Sequence, residues 1–301
     1  MDWRQVEYFV AIVDHGGFTK AADALHVAQP SLSQSVRRLE ADLGASLFVR
    51  HGRGVRLTAA GHSLLGPARR LLRDANTARE SVSVHTGAVT GVLDLVALPT
   101  LVADPLVGHI GAFRSLHPRV MVRVAEPGTA RVLTEMIRDG RCEVGLTESI
   151  EPIEGLTQVP LSRQRMLAVL PPGPEADLPE RLDLREFGKQ ALIMTPRGTS
   201  TRDLLDHAYA AVGVSPFVAV ETGQREAIVP LVLAGAGATL LPEPLARDAG
   251  LRGARVRPLK PSLHRDVGLI HIADGLSPVG AAFVALVAAH GRRRPGRRVV
   301  R

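Results

Sequence analysis

Gln29, Ser33 and Arg37 follow one another at four-residue spacing, which on a helix stacks an amide, a hydroxyl and a guanidinium along one face. These groups suit the edges of nucleobases: Gln bonds adenine bidentately, Arg bonds guanine, and Ser adapts to a base or a phosphate. Pro30, Gln34 and Arg38 flank the row. On another side Leu32, Val36, Leu39 and Leu43 recur at spacings of four, three and four, predicting one buried stripe. A helix with a tight apolar face and a Gln/Ser/Arg outer face suits a major groove. An ordinary solvated helix has the same pattern, and this helix by itself leaves both readings open.

The flanking segments supply the frame. Val6, Phe9, Val10 and Val13 mark a first helix ending at Gly16-Gly17. Ala21, Ala22 and Leu25 give a second helix a small-residue face, which permits the close approach of a helix-turn-helix. The break His26-Val27-Ala28-Gln29 precedes the helix that opens at Pro30. Leu47–Arg50 and Val55–Leu57 read as short strands around His51-Gly52-Arg53-Gly54, a hairpin with arginines at its edges, in other words a wing. Thr58 is placed to cap a helix running to about Val84, with Leu64, Ala68, Leu71, Ala75, Ala78 and Val82 as a heptad seam. Such a seam seeks either a partner helix or its own chain. Pro67 within it predicts a bend or a local opening of the ladder.

Residues 1–88 resemble the N-terminal part of LysR-type transcriptional regulators. The resemblance rests on WRQVEYFVAIVDHGGFTKAA, AQPSLSQSVRRLEADLG and LFVRHGRGVRLTAAG in order, followed by the long helix. It implies that Gln29, Pro30, Ser31, Ser33, Gln34 and Arg37 contact operator DNA from the recognition helix. It likewise implies that Thr19, Lys20, Arg50 and Arg53 contact the backbone or the minor groove. Many members carry Arg where this chain has Gln34, which bears on base preference. The resemblance favours a dimerisation helix and a homodimer or homotetramer on double-stranded DNA, with RNA polymerase as a candidate partner. Two winged domains related by a dyad read half-sites about one helical turn, or a multiple, apart, so an interrupted inverted repeat is the expected operator.

Beyond a small-residue hinge at 85–91, strands and helices alternate. Strands are predicted at Val92–Leu98, Val120–Ala125 and Cys142–Leu146, with helices at Leu101–Leu116 and Ala130–Arg138. A second unit carries strands near Met166–Leu170, Ala191–Met194, Phe217–Val220 and Ala238–Leu241, with helices near Thr201–Val212 and Glu226–Ala234. The chain then returns through Val267–Ile272 and a helix at Pro278–His290. Alternation of this kind argues for a largely parallel α/β sheet. The pattern, strongest at GQREAIVPLVLAGAGATLLPE, resembles the two-subdomain effector domain of the same family, of periplasmic-binding-protein-like (type 2) fold. The expected division is a winged helix-turn-helix at 1–58, a linker helix at 59–88, an effector domain at 89–291 and a basic disordered tail at 292–301. Subdomain I would take 89–162 and 266–291, and subdomain II 163–265.

Ligands of such folds sit at strand carboxyl ends, where helix N-termini point inward. Thr100 and Thr147 each follow a strand. The run Thr195–Thr201 brings Arg197, Thr199, Ser200 and Thr201 to a helix start, chemistry suited to a carboxylate. Gln224 can add an amide. Each threonine is equally an ordinary helix cap; the cluster is the stronger signal. The expected ligand is a small anionic metabolite, with a carboxylate suspected. Gly235-Ala236-Gly237 precedes a strand and lacks a helix-opening lysine, so it reads as a helix end and turn and not as a nucleotide loop.

Composition narrows the classes. The 301 residues carry a net charge of +7. Residues 1–90 hold 11 Lys/Arg against 8 Asp/Glu, residues 91–291 hold 20 against 22, and the last ten hold six arginines, so the excess lies in the first part and the tail. The single cysteine, Cys142, excludes an intrachain disulfide and reads as a core thiol in a buried strand of a protein from a reducing compartment. Some members of the resembled family sense peroxide through a cysteine pair; the second cysteine is missing here. No signal peptide and no bilayer-spanning run are read, so a cytoplasmic protein without membrane contact is expected. No metal-ligand spacing, G-x-S-x-G elbow or P-loop occurs; neither an enzyme nor a cofactor or metal is expected. The alternative to a DNA-binding regulator is a cytoplasmic small-molecule-binding module without DNA-directed regulation.

Overall fold

The computed structural model describes residues 1–51, 54–82, 89–148, 152–174, 178–273 and 275–292. Three helices open the chain: α1 (Trp3–His15), α2 (Phe18–Ala24) and α3 (Gln29–Leu43). Asp2 and Gln5 form a reciprocal capping box at the start of α1. Gly16, at φ 72°, ends that helix in the left-handed region that glycine enters without a Cβ penalty. Phe9, Ile12, Ala21, Ala22, Leu32, Val36 and Leu39 are buried between the three helices. Leu43 departs from the expected stripe and is 41% exposed. It is the last residue of α3 before the left-handed Gly44 cap, where the helix runs out to the surface.

The wing is an antiparallel hairpin of β1 (Phe48–His51) and β2 (Gly54–Leu57). Thr58 caps α4 (Ala59–Val82): its hydroxyl accepts the Gly61 N–H at 3.0 Å and donates to the Ser46 carbonyl at 2.6 Å. The helix stays α-helical through Pro67 instead of opening into another helix type. Leu65 and Ala68 are buried against Val6, Phe9, Val10 and Leu39, with Leu64 and Leu72 half-buried beside them. Leu71 is 40% exposed. The heptad seam is therefore split, with Ala68 serving its own chain and Leu71 facing out; the side chains of Ala78 and Val82 lie outside those described.

After the hinge, whose residues 83–88 lie outside the described residues, come β3 (Gly91–Ala97), α5 (Pro99–Leu101), a π-type turn (Val102–Leu106) and α6 (Val107–Leu116). One continuous helix at 101–116 is thus corrected to two pieces. Pro105 has no N–H and disfavours helical geometry at its predecessor; Asp104 is extended at φ −154°, ψ 122°. Then follow β4 (Val120–Ala125), α7 (Ala130–Arg138), β5 (Val144–Glu148), β6 (Leu156–Leu170), β7 (Leu182–Asp183), α8 (Leu184–Gly188), β8 (Leu192–Met194), α9 (Ser200–Val212), β9 (Val218–Glu221), α10 (Arg225–Leu233), β10 (Thr239–Pro242), α11 (Glu243–Leu251), β11 (Arg255–Ile272) and α12 (Pro278–Arg292).

The main sheet has strand order β10-β6-β11-β5-β3-β4, with β7 added beside β11. It is mixed. β3 pairs in parallel with β4 and β5, whereas β6 and β11 run antiparallel to each other and to β10 and β5. The long crossing strands, 15 and 18 residues, replace the short ends expected at 166–170 and 267–272. Pro160, Pro258 and Pro261 interrupt them, and proline inside a run reads as non-strand. Their mutual register shifts between Pro258 and Leu263 and again between Val267 and Gly268.

One core gathers Leu93, Leu95, Val144, Leu146, Leu269, Phe113 and Phe283. Two others lie on opposite faces of the far half of β6, because successive side chains alternate across a strand. Met166, Ala168 and Leu170 enter one, Leu167 and Val169 the other. Cys142 is buried just ahead of β5 and not within it.

Candidate DNA interface and effector cleft

Burial of Leu32, Val36 and Leu39 fixes the rotation of α3 and turns the polar row outward. Gln29, Pro30, Ser31, Gln34, Arg37 and Arg38 are exposed and Ser33 is half-buried. Arg37 Nη2 donates to Ser33 Oγ at 3.3 Å, a weak tie that leaves the guanidinium available. No side chain caps the N-terminus of α3, so its first N–H groups remain open to an acceptor such as phosphate. Thr19 and Lys20 stand exposed in the first turn of α2. Arg50 lies in β1 opposite Val55, with its side chain outside those described. Arg53 lies outside the described residues, as does the basic tail from 293.

Glu40 was not singled out by sequence reasoning. Its Oε1 accepts the N–H groups of Leu47 at 2.7 Å and Phe48 at 3.3 Å, tying the recognition helix to the first wing strand. A carboxylate three residues beyond Arg37, followed by a strand, was the available signal.

The second site lies where the crossing strands meet the ends of β3 and β5. Arg265 of β11 is buried, its side chain 2% exposed. Nη1 donates to Thr100 Oγ1 at 2.8 Å and also to the Glu148 carboxylate, while Nε donates to Gln164 Oε1 at 2.7 Å. Gln164 Nε2 in turn donates to Asp104 Oδ2 at 2.6 Å. Ser200, first residue of α9, donates from Oγ to Glu148 Oε1 at 2.8 Å. Buried charges persist only when so paired and hydrogen-bonded. Burial pulls the Arg265 pKa below the usual arginine value, and the neighbouring Glu148 opposes the shift.

Beside this network is a pocket of about 20 Å³ lined in part by Thr100, Thr195, Thr201, Arg202 and Arg225. Arg202 is satisfied by Asp206, Glu221 and the Thr195 carbonyl. Thr201 Oγ1 and Arg265 Nη2 are buried without a hydrogen-bond partner. Arg225, half-buried, has its pKa lowered by burial, with Glu126 and Glu148 opposing the shift and Arg265 adding to it.

Of the residues expected here, Thr100, Ser200 and Thr201 come together. Thr199 heads α9, but its hydroxyl turns back to Thr195 Oγ1 at 2.5 Å and to the Pro196 carbonyl at 2.7 Å. Arg197 and Gln224 are exposed and do not line the pocket. Thr147 is buried inside β5, which runs two residues further than expected, and lines a separate cavity of about 440 Å³ with residues 158–162 and 266–270. Sequence reasoning missed Glu148, Gln164, Arg225 and Arg265. A charge set among apolar residues in RDVGLIHI was the signal for the last.

Residues 3–62 match the bacterial regulatory helix-turn-helix proteins of the lysR family, and residues 86–292 match the LysR substrate binding domain. The chain belongs to the LysR family. It is a LysR-type DNA-binding transcriptional regulator with a substrate-binding domain. It is 27% identical over 291 residues to the uncharacterized HTH-type transcriptional regulator YybE of Bacillus subtilis, covering 96% of this chain and 99% of that one. It is 30% identical over 274 residues to the hydrogen peroxide-inducible genes activator of Dickeya chrysanthemi, covering 90% and 89%. In fold it is similar to a full-length OxyR variant from Pseudomonas aeruginosa, with TM-score 0.75, 23% identity and coverage of 97% and 95%.

This LysR chain carries one thiol. Cys142 is its single cysteine, buried, with a thiol pushed up to about 11 mainly by burial and next by Asp94. Among the described residues no helix is long and apolar enough to cross a membrane, and no cluster of His, Cys, Asp and Glu is arranged to hold a metal.

Proposed function

We propose that this LysR-family regulator binds an interrupted inverted-repeat operator as a homodimer or homotetramer in the cytoplasm, and that a small anionic metabolite in the cleft sets its activity. The observation that carries the ligand class is a group of cations and hydroxyls at and beside one pocket: Thr201 and Arg225 line it, and Thr201 Oγ1 and the neighbouring Arg265 Nη2 are buried without an acceptor. Buried donors without acceptors are costly, and an oxyanion supplies what these two lack. Operator contacts are proposed for Thr19, Lys20, Gln29, Pro30, Ser31, Ser33, Gln34, Arg37, Arg50 and Arg53. Effector contacts are proposed for Thr100, Ser200, Thr201, Arg225 and Arg265.

A ligand shifts the arrangement of the subdomains only by its differential affinity for the two states. The test is a thermal-shift screen of small carboxylates, followed by DNA binding to the region upstream of the gene with each stabilising compound. Stabilisation that is lost in Thr100→Val and Arg225→Met and that alters DNA binding supports the reading. Ligand stabilisation unchanged by both substitutions contradicts it.

A further inference from the structure

We propose that Glu148 is a built-in occupant of the effector's anion position: without ligand the chain closes the cleft on its own carboxylate, and a compact carboxylate effector acts by displacing it. This rests on the preceding reading of the cleft as the effector site and adds how that site is regulated.

Donors from separate parts of the fold converge on the one carboxylate. Ser200 reaches it from the first turn of α9, and Arg265 reaches it from the crossing strand β11 while also holding Thr100 beside β3. A hydroxyl at a helix start together with a guanidinium is how proteins bind carboxylates. Glu148 itself is attached at the end of β5, so its bond to Ser200 spans the cleft.

The adjoining pocket, about 20 Å³, has room for no more than about one water. A metabolite therefore enters only if something leaves. Asp104 is held by Gln164, and Asp206 and Glu221, which hold the pocket-lining Arg202, are 41% and 52% exposed, against 13% for Glu148. Glu148 is thus the buried carboxylate beside the pocket whose ion pair a ligand carboxylate reproduces. Arg265 Nη2 and Thr201 Oγ1, which are buried without an acceptor, then gain one, and Arg225 lines the same pocket. Displacement also frees Ser200 from its cross-cleft partner, so ligand binding and a change at the cleft mouth are one event.

The test uses the full chain with formate and acetate as probes, exchanged for chloride at constant ionic strength, and follows thermal unfolding of wild type, Glu148→Ala and Glu148→Ala/Arg225→Met. Wild type is expected to be stabilised only at much higher probe concentration, because Glu148 competes for the same donors. Glu148→Ala should melt lower, because Arg265 loses its counter-charge, and should be restored saturably by either probe. The added Arg225 substitution should weaken that restoration about tenfold. Failure of both probes to restore Glu148→Ala overturns the proposal. So does equal stabilisation of wild type, and so does restoration indifferent to Arg225, which marks a purely structural ion pair. Should Glu148→Ala not fold, Glu148→Gln keeps the shape without the charge; it should bind acetate about tenfold more tightly than wild type, and equal affinities overturn the proposal. DNA binding measured in parallel keeps the two readings apart, since intact operator binding with no restoration removes the displacement step alone.

Discussion

Arg69, on the helix leaving the DNA-binding domain, donates from Nη1 to the Asp139 carbonyl of the effector domain at 2.9 Å. Its Nη2 holds the Asp14 carboxylate of α1, so one guanidinium joins the helix-turn-helix, the linker helix and the effector domain. Arg73 adds a bond to the Gly140 carbonyl. Gly66 makes the approach feasible, since a Cβ there would come 2.5 Å from the Arg138 carbonyl oxygen. The loop after α7 is thereby pinned to α4.

Arg69→Met should loosen this joint. Asp14 is half exposed, so its ion pair contributes little; the stranded Asp139 carbonyl carries most of the cost, about 1–3 kcal/mol. Faster hydrogen exchange at residues 138–141 together with a lower melting temperature is the expected result. Unchanged exchange there would mean that the joint is not held by this residue.

Glu40→Ala should separate the recognition helix from the wing without touching the outward row. Losing the acceptor of two N–H groups is worth about 1–3 kcal/mol, and operator affinity should fall although Gln29, Ser33 and Arg37 remain. Glu40→Gln keeps the acceptor oxygen and should retain most of both. Chemical denaturation and a DNA titration of the two variants check this.

Glu143 gives a pH dependence. Burial raises its pKa above the ordinary carboxylate value, opposed by hydrogen bonds from the Ser277 N–H and hydroxyl. The folded chain thus holds this proton more tightly than the unfolded chain. Its contribution is full below the unfolded pKa and is lost as pH rises through the folded value. Glu143→Gln cannot ionise, so its melting temperature should fall less than that of wild type as pH rises above the ordinary carboxylate range. Asp94, shifted upward by burial with Arg123 opposing, keeps a residual slope of the same sign in both proteins. Parallel curves would contradict the assignment.

Cys142 should be a poor nucleophile. With its thiol at about 11 rather than 9.0, the thiolate population at neutral pH is lower by about a hundredfold. Alkylation by iodoacetamide should be slow in the native chain and should rise by at least about that factor on unfolding. Rapid native alkylation would reopen this residue as a redox site.

Much of the N-terminal domain was legible because its signals are local. The 3.6-residue period of α3, the glycines at 16 and 44, and the threonine cap at 58 each depend on a few neighbours. Leu43 misled because periodicity does not report where a helix passes the edge of its core. In the linker helix Ala68 and Leu71 look alike in a heptad, and only packing decides which faces α1. In the effector domain the helix starts at Thr100 and Ser200 were visible. Arg265, Glu148 and Gln164 were not, since they meet across separations of about a hundred residues, and Arg265 and Gln164 lie on strands whose prolines hide their length. Long-range charge pairing leaves no periodic trace in one sequence.

The central claim, that the outward face of α3 reads DNA as a dyad-related pair, is tested most directly by in-vitro selection of bound duplexes from a random pool with the purified full chain. The account predicts enrichment of an interrupted inverted repeat with half-sites about one helical turn, or a multiple, apart, and relaxed discrimination at one position of each half-site in Arg37→Ala, by about 1–3 kcal/mol. Enrichment of no sequence, or of a single half-site whose selection is unchanged in Arg37→Ala, would contradict it.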